Sequence, residues 1–351
     1  MKISRVVMLS VAVAIPIITS STVNAESIVL ANYGGTWAAT LKKVCIDPYS
    51  KKTGITVTQA ATGDSLAQIR VQQTTGNVLW DISPTEGASL PVAQRNGWLQ
   101  PIDWKRVDPE NKLNALARHP YAVGAIAYST TIGYRTDKAP VGKIPSGWRD
   151  FWDVKKFPGP RTLRDSPIEN LEFALIADGV PVDKVYDVLK APGGVDRAFK
   201  KMDEIKPAIT VWWTTGQQPV QLLASGDVFY ASAFNGRITQ IQKDKVPVAM
   251  IWNGGSLNVS YYSIQKGAKS PTAAMDFMKF CWNDPNRLAE IARELPYAGF
   301  NPEMFKLLSA DEAKALPTAP VNVALQFTFN PDFWADHQNV ILARWKAWRL
   351  Q

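Results

Sequence analysis

An α/β fold follows from three features of the sequence. Apolar β-type runs alternate with helical stretches from residue 27 to residue 282. Several of these runs end in a glycine turn, as at Tyr33-Gly34-Gly35 and Glu86-Gly87, and a helical pattern follows. Hydrophobic residues make up 46% of the 351 and charged residues 20%, so real cores can form, with room for about two domains.

The N-terminus is read separately. Lys2 and Arg5 precede an apolar run over residues 6–18 that Ser10 and Pro16 interrupt, and small residues follow as far as Val23-Asn24-Ala25. This is the layout of a secretory signal peptide over residues 1–25, with cleavage expected after Ala25. The run is too short to span a bilayer, and no cysteine follows it to carry a lipid. The mature chain is therefore expected in the periplasm.

The first mature element is a strand over residues 27–32. It runs into Tyr33-Gly34-Gly35-Thr36-Trp37, and a helix is expected over 38–48. A Gly-Gly-Thr turn entering a helix presents backbone N–H groups at the positive end of the dipole, a seat for a carboxylate or a phosphate. Its spacing is neither a dinucleotide fingerprint nor a P-loop, so no cofactor is expected. A second strand is expected over 54–58, a helix capped within 61–65 and running to 74, and a third strand over 80–83 that ends at Glu86-Gly87. Residues 121–127 and 130–135 are β-rich.

Pro140, Pro145, Gly147 and Pro158-Gly159-Pro160 then mark a change of character, and a second α/β series begins at 161–163. Helices are expected over 168–177 and 183–202. A strand follows over 209–213, with Thr214 and Thr215 as helix caps, Pro219 in a first helical turn and Gly226 as the stop. The next strand, 228–233, breaks at Phe234-Asn235-Gly236-Arg237. Ligands in open α/β sheets bind beyond the carboxyl ends of strands, and these two ends carry Trp213 and Phe234 with Asn235. Core aromatics with ordinary caps is the other reading. Strands over 246–252 and 257–264, a helix over 271–282 and a Trp-rich helix over 331–351 complete the chain.

The net charge of +8 is spread out and includes Lys2 and Arg5 of the leader. No Lys/Arg run tracks a phosphate backbone, so nucleic acid is not an expected partner. The two histidines, His119 and His337, lie in no ligand-spaced cluster, so no metal is expected. The two cysteines, Cys45 and Cys281, permit one disulfide in an oxidising compartment; two buried thiols is the alternative.

Three stretches carry a resemblance by their order and spacing. They are Gly97-Trp98-Leu99-Gln100-Pro101-Ile102-Asp103; Trp148-Arg149-Asp150-Phe151-Trp152-Asp153 with Phe157-Pro158-Gly159-Pro160-Arg161; and Gln221-Leu222-Leu223-Ala224-Ser225-Gly226-Asp227-Val228. Phe234-Asn235-Gly236-Arg237 and Asp332-Phe333-Trp334 add to it. The chain resembles periplasmic solute-binding proteins of ABC importers, of the spermidine/putrescine-binding type. The resemblance implies a type II fold: two α/β lobes, each a mixed sheet flanked by helices, joined by crossover strands near 131–134 and 258–262. Lobe 1 would comprise 26–133 and 262–305, and lobe 2 would comprise 134–261 and 306–351. Cys45 and Cys281 would both fall on lobe 1 helices, close enough to bridge. The expected partners are a small-molecule solute and an inner-membrane permease, and the expected state is a monomer.

The family's ligand positions fall here on Thr36, Trp37, residues 86–88 beginning with Glu86, Ser166, Glu169, Phe234, Asn258, Ser260 and Tyr297. Gly35, Arg164, Trp213 and Arg237 join them as candidates from the residues themselves. Polyamine receptors hold ammonium groups with carboxylates and tryptophans. Ser166, Asn258 and Ser260 are neutral at such positions, and Phe234 replaces a tryptophan. Arg164 ends a strand of the second series, where a guanidinium suits a carboxylate; a structural pairing with Asp165 or the C-terminal segment is the alternative. Arg237 is read as structural. The ligand is thus expected to carry both an amine and a carboxylate, as do 4-aminobutyrate and opine-like conjugates, with a polyamine as the alternative. Trp37 and Phe234 are expected to face each other across it. An exported hydrolase is the remote rival: Ser65 and Ser256 lack a nucleophile elbow and a positioned base. An adhesive protein fits poorly with unrepeated α/β units.

Overall fold

A computed structural model describes residues 27–351, so the expected signal peptide lies outside the described residues. The strands are β1 (Ser27–Asn32), β2 (Thr56–Ala61), β3 (Ile82–Pro84), β4 (Arg118–His119), β5 (Ala122–Arg135), β6 (Arg161–Arg164), β7 (Ile209–Trp213), β8 (Tyr230–Phe234), β9 (Val248–Ile264) and β10 (Phe327–Thr328). They form one continuous sheet in the order β2-β1-β3-β9-β5-β8-β6-β7, with β4 on β5 and β10 on β9.

The two long central strands make the architecture. β5 and β9 pair antiparallel from Val123 opposite Tyr262 to Arg135 opposite Val248. Parallel strands β1, β2 and β3 extend the sheet on one side, with β6, β7 and β8 on the other. β5 is buried along almost its whole length, as its run of small, apolar and β-branched residues requires of a strand covered on both faces. Its first half enters one core, with Val123 and Ile126 among Ile28, Leu30, Ile82 and Phe277. Its second half enters another, with Ile132 and Tyr134 among Leu163, Phe173, Met202 and Trp345. Two lobes with separate cores therefore share one pair of strands. Towards the C-terminus, Met304 and Leu316 pack with Leu288 and Ala298, while Phe327 through Trp348 belong to the second core.

Several local expectations change. The β-rich runs 121–127 and 130–135 are one strand, as are 246–252 and 257–264. The polar joints between them read as breaks, yet their backbone groups find partners. Ser129 N–H donates to Asn235 Oδ1 at 2.9 Å, and Gly254 N–H donates to Leu325 O at 2.8 Å. The first helix starts at Gly35 rather than 38. It passes through a π turn, Lys42–Ile46, and runs on to Thr53, because Pro48 falls at the start of Asp47–Thr53, where a missing N–H is tolerated. Gly54 stops it in the left-handed conformation (φ 76°), which delays β2 to Thr56. The helix expected over 183–202 divides into Val185–Lys190 and Gly194–Ile205 at Pro192-Gly193. Thr214 and Thr215 do not cap: the helix begins at Gln218, whose Oε1 accepts the Thr214 N–H at 3.1 Å. The break at Phe234-Asn235-Gly236-Arg237 is the entry to the helix Asn235–Lys243.

Cys45 and Cys281 form a disulfide, with Cα atoms 5.3 Å apart and both residues fully buried. It ties the Lys42–Ile46 turn to the helix Pro271–Trp282 across 236 residues of sequence. Closing so long a loop restricts the unfolded chain and stabilises the fold by about 2–4 kcal/mol. Removing the bridge with Cys45→Ala and Cys281→Ala should lower the urea midpoint accordingly. A midpoint equal to that of the oxidised protein would refute this.

Candidate ligand-binding site

The site is built on one face of the central ribbon. Tyr128 lies opposite Asn258, Thr130 opposite Ser256 and Ile126 opposite Ser260. Side chains two apart share a face of a strand, so Tyr128, Thr130, Ser256, Asn258 and Ser260 form one polar strip where the chain passes between the cores.

From the first lobe, the turn after β3 brings Glu86 to this strip, and Ser260 Oγ donates a hydrogen bond to its carboxylate. Burial pushes the Glu86 pKa up to about 6, against the opposing effect of that hydrogen bond. Tyr33 stands at the end of β1, its hydroxyl pushed up by burial and then by Glu86. Trp37 turns its Nε1 to Tyr262 Oη at 2.8 Å and packs on the first core. Gly34 and Gly35 both adopt positive φ (74° and 60°), which lets the chain turn tightly into the helix that opens at Gly35. Asn32 Oδ1 accepts the Gly34 N–H at 2.8 Å, and no side chain caps the first turn, which contains Thr36.

From the second lobe, Glu169 adopts φ 69° just before the helix Asn170–Ala177, and this turns its buried carboxylate onto the strip. It accepts Thr130 Oγ1 and Asn258 Nδ2, each at 2.9 Å. Arg164 Nη1 lies 4.0 Å from Glu169, and the guanidinium sits 5.5 Å over the Trp213 ring. Asp165 is not its partner. That carboxylate accepts Trp345 Nε1 at 3.0 Å and Arg349 Nε at 3.1 Å. Phe234 packs edge-on against Tyr128 (5.7 Å) and Trp213 (5.8 Å).

Trp213, Ser166 and Arg237 make their contacts beside this strip, and Tyr297 stands by Glu86. Trp213 is fully buried, with Nε1 on Ser232 Oγ at 3.1 Å, and backs both Arg164 and Phe234. Ser166 Oγ accepts the Ile168 N–H at 3.2 Å, a turn role. Arg237 Nη1 bonds Gln217 Oε1. Tyr297 rests on Gly236, where a Cβ would come within 2.7 Å of its ring. Asn235 fixes this seat: its Nδ2 donates to Pro296 O at 2.9 Å. Sequence reasoning missed Tyr128 and Tyr33. Tyr128 sits amid Glu86, Glu169 and Arg164, with burial as the main cause of its strongly raised pKa. Its signal was a lone large polar ring between two β-rich runs.

Comparison with known proteins gives this geometry a family. The model for bacterial extracellular solute-binding proteins matches residues 45–321. The chain belongs to that family. The binding protein is 32% identical over 323 residues to the gamma-aminobutyric acid-binding protein of Pseudomonas aeruginosa, covering 92% of this chain and 91% of that one. It is 33% identical to the solved Atu4243 GABA receptor, with a TM-score of 0.82, covering 92% of this chain and 98% of that one. It is 31% identical to the binding protein MotA of A. tumefaciens B6, solved with glucopine, with a TM-score of 0.80 over 92% of this chain and 99% of that one. Members of such importers bind a small solute and work with a membrane permease.

Glu172, on the helix that Glu169 opens, adds a pH dependence to the binding protein. It is fully buried and accepts Tyr186 Oη at 2.8 Å and Trp334 Nε1 at 2.7 Å, and burial pushes its pKa from 4.5 up to about 7. The folded chain therefore holds this proton more tightly than the unfolded chain. Its contribution to stability is present below 4.5 and is lost as the pH rises through 7. Glu172→Gln keeps an acceptor for both donors. Urea midpoints should favour the variant more at pH 8 than at pH 5, and an equal difference at both would refute the assignment.

Proposed function

We propose that the protein is a monomeric periplasmic receptor that closes on a small solute carrying both an amine and a carboxylate, and delivers it to an inner-membrane ABC permease. The solute class is ω-amino acids such as 4-aminobutyrate, or opine-like sugar–amino-acid conjugates. The observation that carries this reading is that both signs of charge meet on one polar strip: Glu86 on one side, Arg164 on the other, with neutral Tyr128, Asn258 and Ser260 between. Relatives that bind gamma-aminobutyric acid and glucopine support it.

In this reading the ligand carboxylate meets Arg164, aided by the N–H groups of Gly35 and Thr36. Trp37 and Phe234 enclose the aliphatic part, and Asn258, Ser260 and Tyr297 complete the wall. Enclosure strengthens each polar contact. Closure follows from contacts the ligand makes better in the closed state. In this reading the protein carries out no reaction on the solute. Ser65 Oγ is bonded to Pro84 O, and Ser256 Oγ accepts Asn258 Nδ2 at 3.2 Å, so each serine has a structural partner rather than a base. A polyamine is the second reading, favoured by the two carboxylates Glu86 and Glu169.

A charge-assisted contact to an enclosed carboxylate contributes about 1.5–3 kcal/mol. Arg164→Ala should therefore weaken 4-aminobutyrate or opine binding at least about tenfold in calorimetry, with the melting curve unchanged. Tight binding of putrescine by the wild type, with no binding of either acid class, would replace this reading with the polyamine one.

A further inference from the structure

The two carboxylates of the site are held very differently. Glu169 accepts Thr130 Oγ1 and Asn258 Nδ2 and lies 4.0 Å from the Arg164 guanidinium. Glu86 accepts a hydrogen bond from Ser260 alone, and no lysine, arginine or histidine among the described residues forms an ion pair with it. The ionisable groups that surround it are tyrosines from four separate segments: Tyr33 after β1, Tyr128 on β5, Tyr262 on β9 and Tyr297. Burial raises all four, so they stay neutral across the ordinary pH range and offer no positive charge. The cations nearby act on those tyrosines: Arg164 on Tyr128 and Arg237 on Tyr297. Asp64 adds a further negative charge beside Tyr33. A half-buried carboxylate with one hydrogen-bond donor and no cation is less favourable in its charged form until it takes up a proton or receives a positive partner.

We propose that Glu86 is a proton-exchange site: in mildly acidic solution it holds a proton in the unliganded protein, and the ammonium group of the solute takes that proton's place. This rests on the amine–carboxylate reading of the site and deepens it by naming the carboxylate that receives the amine. The step balances: the Glu86 carboxyl group and an R–NH3+ ligand give a carboxylate–ammonium pair and one proton released to solvent. Affinity therefore falls with falling pH once Glu86 is protonated in the free protein, and levels off above that range. Glu169 is already held by two hydrogen-bond donors beside a guanidinium. Glu172 titrates in a similar range but on the core side of its helix, bonded to Tyr186 and Trp334.

The test is calorimetry of 4-aminobutyrate with the mature protein in buffers of different ionisation enthalpy, at pH 5, 6 and 8. About half a proton should be released per ligand at pH 6 and almost none at pH 8, with an up to roughly tenfold loss of affinity from pH 6 to pH 5. Glu86→Gln keeps the side chain's size and an acceptor for Ser260, and a melting curve checks its fold. It should abolish the proton release and weaken binding at pH 8 by about tenfold or more. Binding of equal affinity at all three pH values, or proton release that persists in Glu86→Gln, overturns the exchange and leaves the proposed ligand class standing. Failure of 4-aminobutyrate and opine acids to bind at any pH overturns the ligand class and this step with it.

Discussion

The pairing of β5 with β9 is the constraint on which the rest depends. Those two strands are the seam of the sheet, and each lends its halves to different cores. A one-residue slip would invert every side chain of a strand. Tyr128, Thr130, Asn258 and Ser260 would then leave the strip, while Ile132 and Tyr262 would leave their cores. Register is therefore specified twice, by the apolar residues at each end and by the polar contacts between. The irregularity after Thr130 marks where one lobe's register gives way to the other's.

Polar groups inside the molecule follow a common rule, and the site stands out against it. Buried Asp108 accepts the backbone N–H groups of Lys112 and Leu113 and pairs with Arg118. Buried Arg161 donates to the carbonyls of Phe151 and Phe157 and lies between the Phe151 and Tyr230 rings. Asp81 accepts the N–H groups of Val29 and Ser270. In each case the charge is neutralised or met by several hydrogen-bond partners of the complementary kind, as burial demands. Glu86 has one hydroxyl. In the proposed reading its positive partner arrives with the solute.

The alternation of strands and helices was legible because it depends on local pattern: β1, β7 and the helix Pro271–Trp282 fall where periodicity and caps put them. The breaks were harder to read. Ser129 and Gly254 look like loop residues, but Asn235 and Leu325, distant in sequence, complete their hydrogen bonds and keep the strands continuous. In the site, residue type revealed chemistry but not direction. Trp213 reads like an aromatic wall, yet its ring is buried behind Arg164. Glu169 points onto the strip only because its backbone adopts a positive φ, which no pattern of side chains announces. Tyr128 escaped notice because its partners Glu86, Glu169, Arg164 and Phe234 lie on four other segments.

The contacts that join the lobes beyond the central ribbon bear on how closure is driven. Near the ribbon they are buried: Asn235 reaches Pro296 O, and Ser129 Oγ reaches Gln326 Oε1 at 2.5 Å. Such bonds fix the axis about which the lobes can turn. Farther out, Arg95 pairs with Asp332 and Asp336 on the C-terminal helix, with side chains from 49% to 73% exposed. Exposed ion pairs contribute about 0–1 kcal/mol and weaken with salt. That is too little to hold two lobes together against the freedom they lose on closing. In the proposed reading the dominant favourable term comes from a solute that touches both sides at once, with an acid on one lobe and a guanidinium on the other.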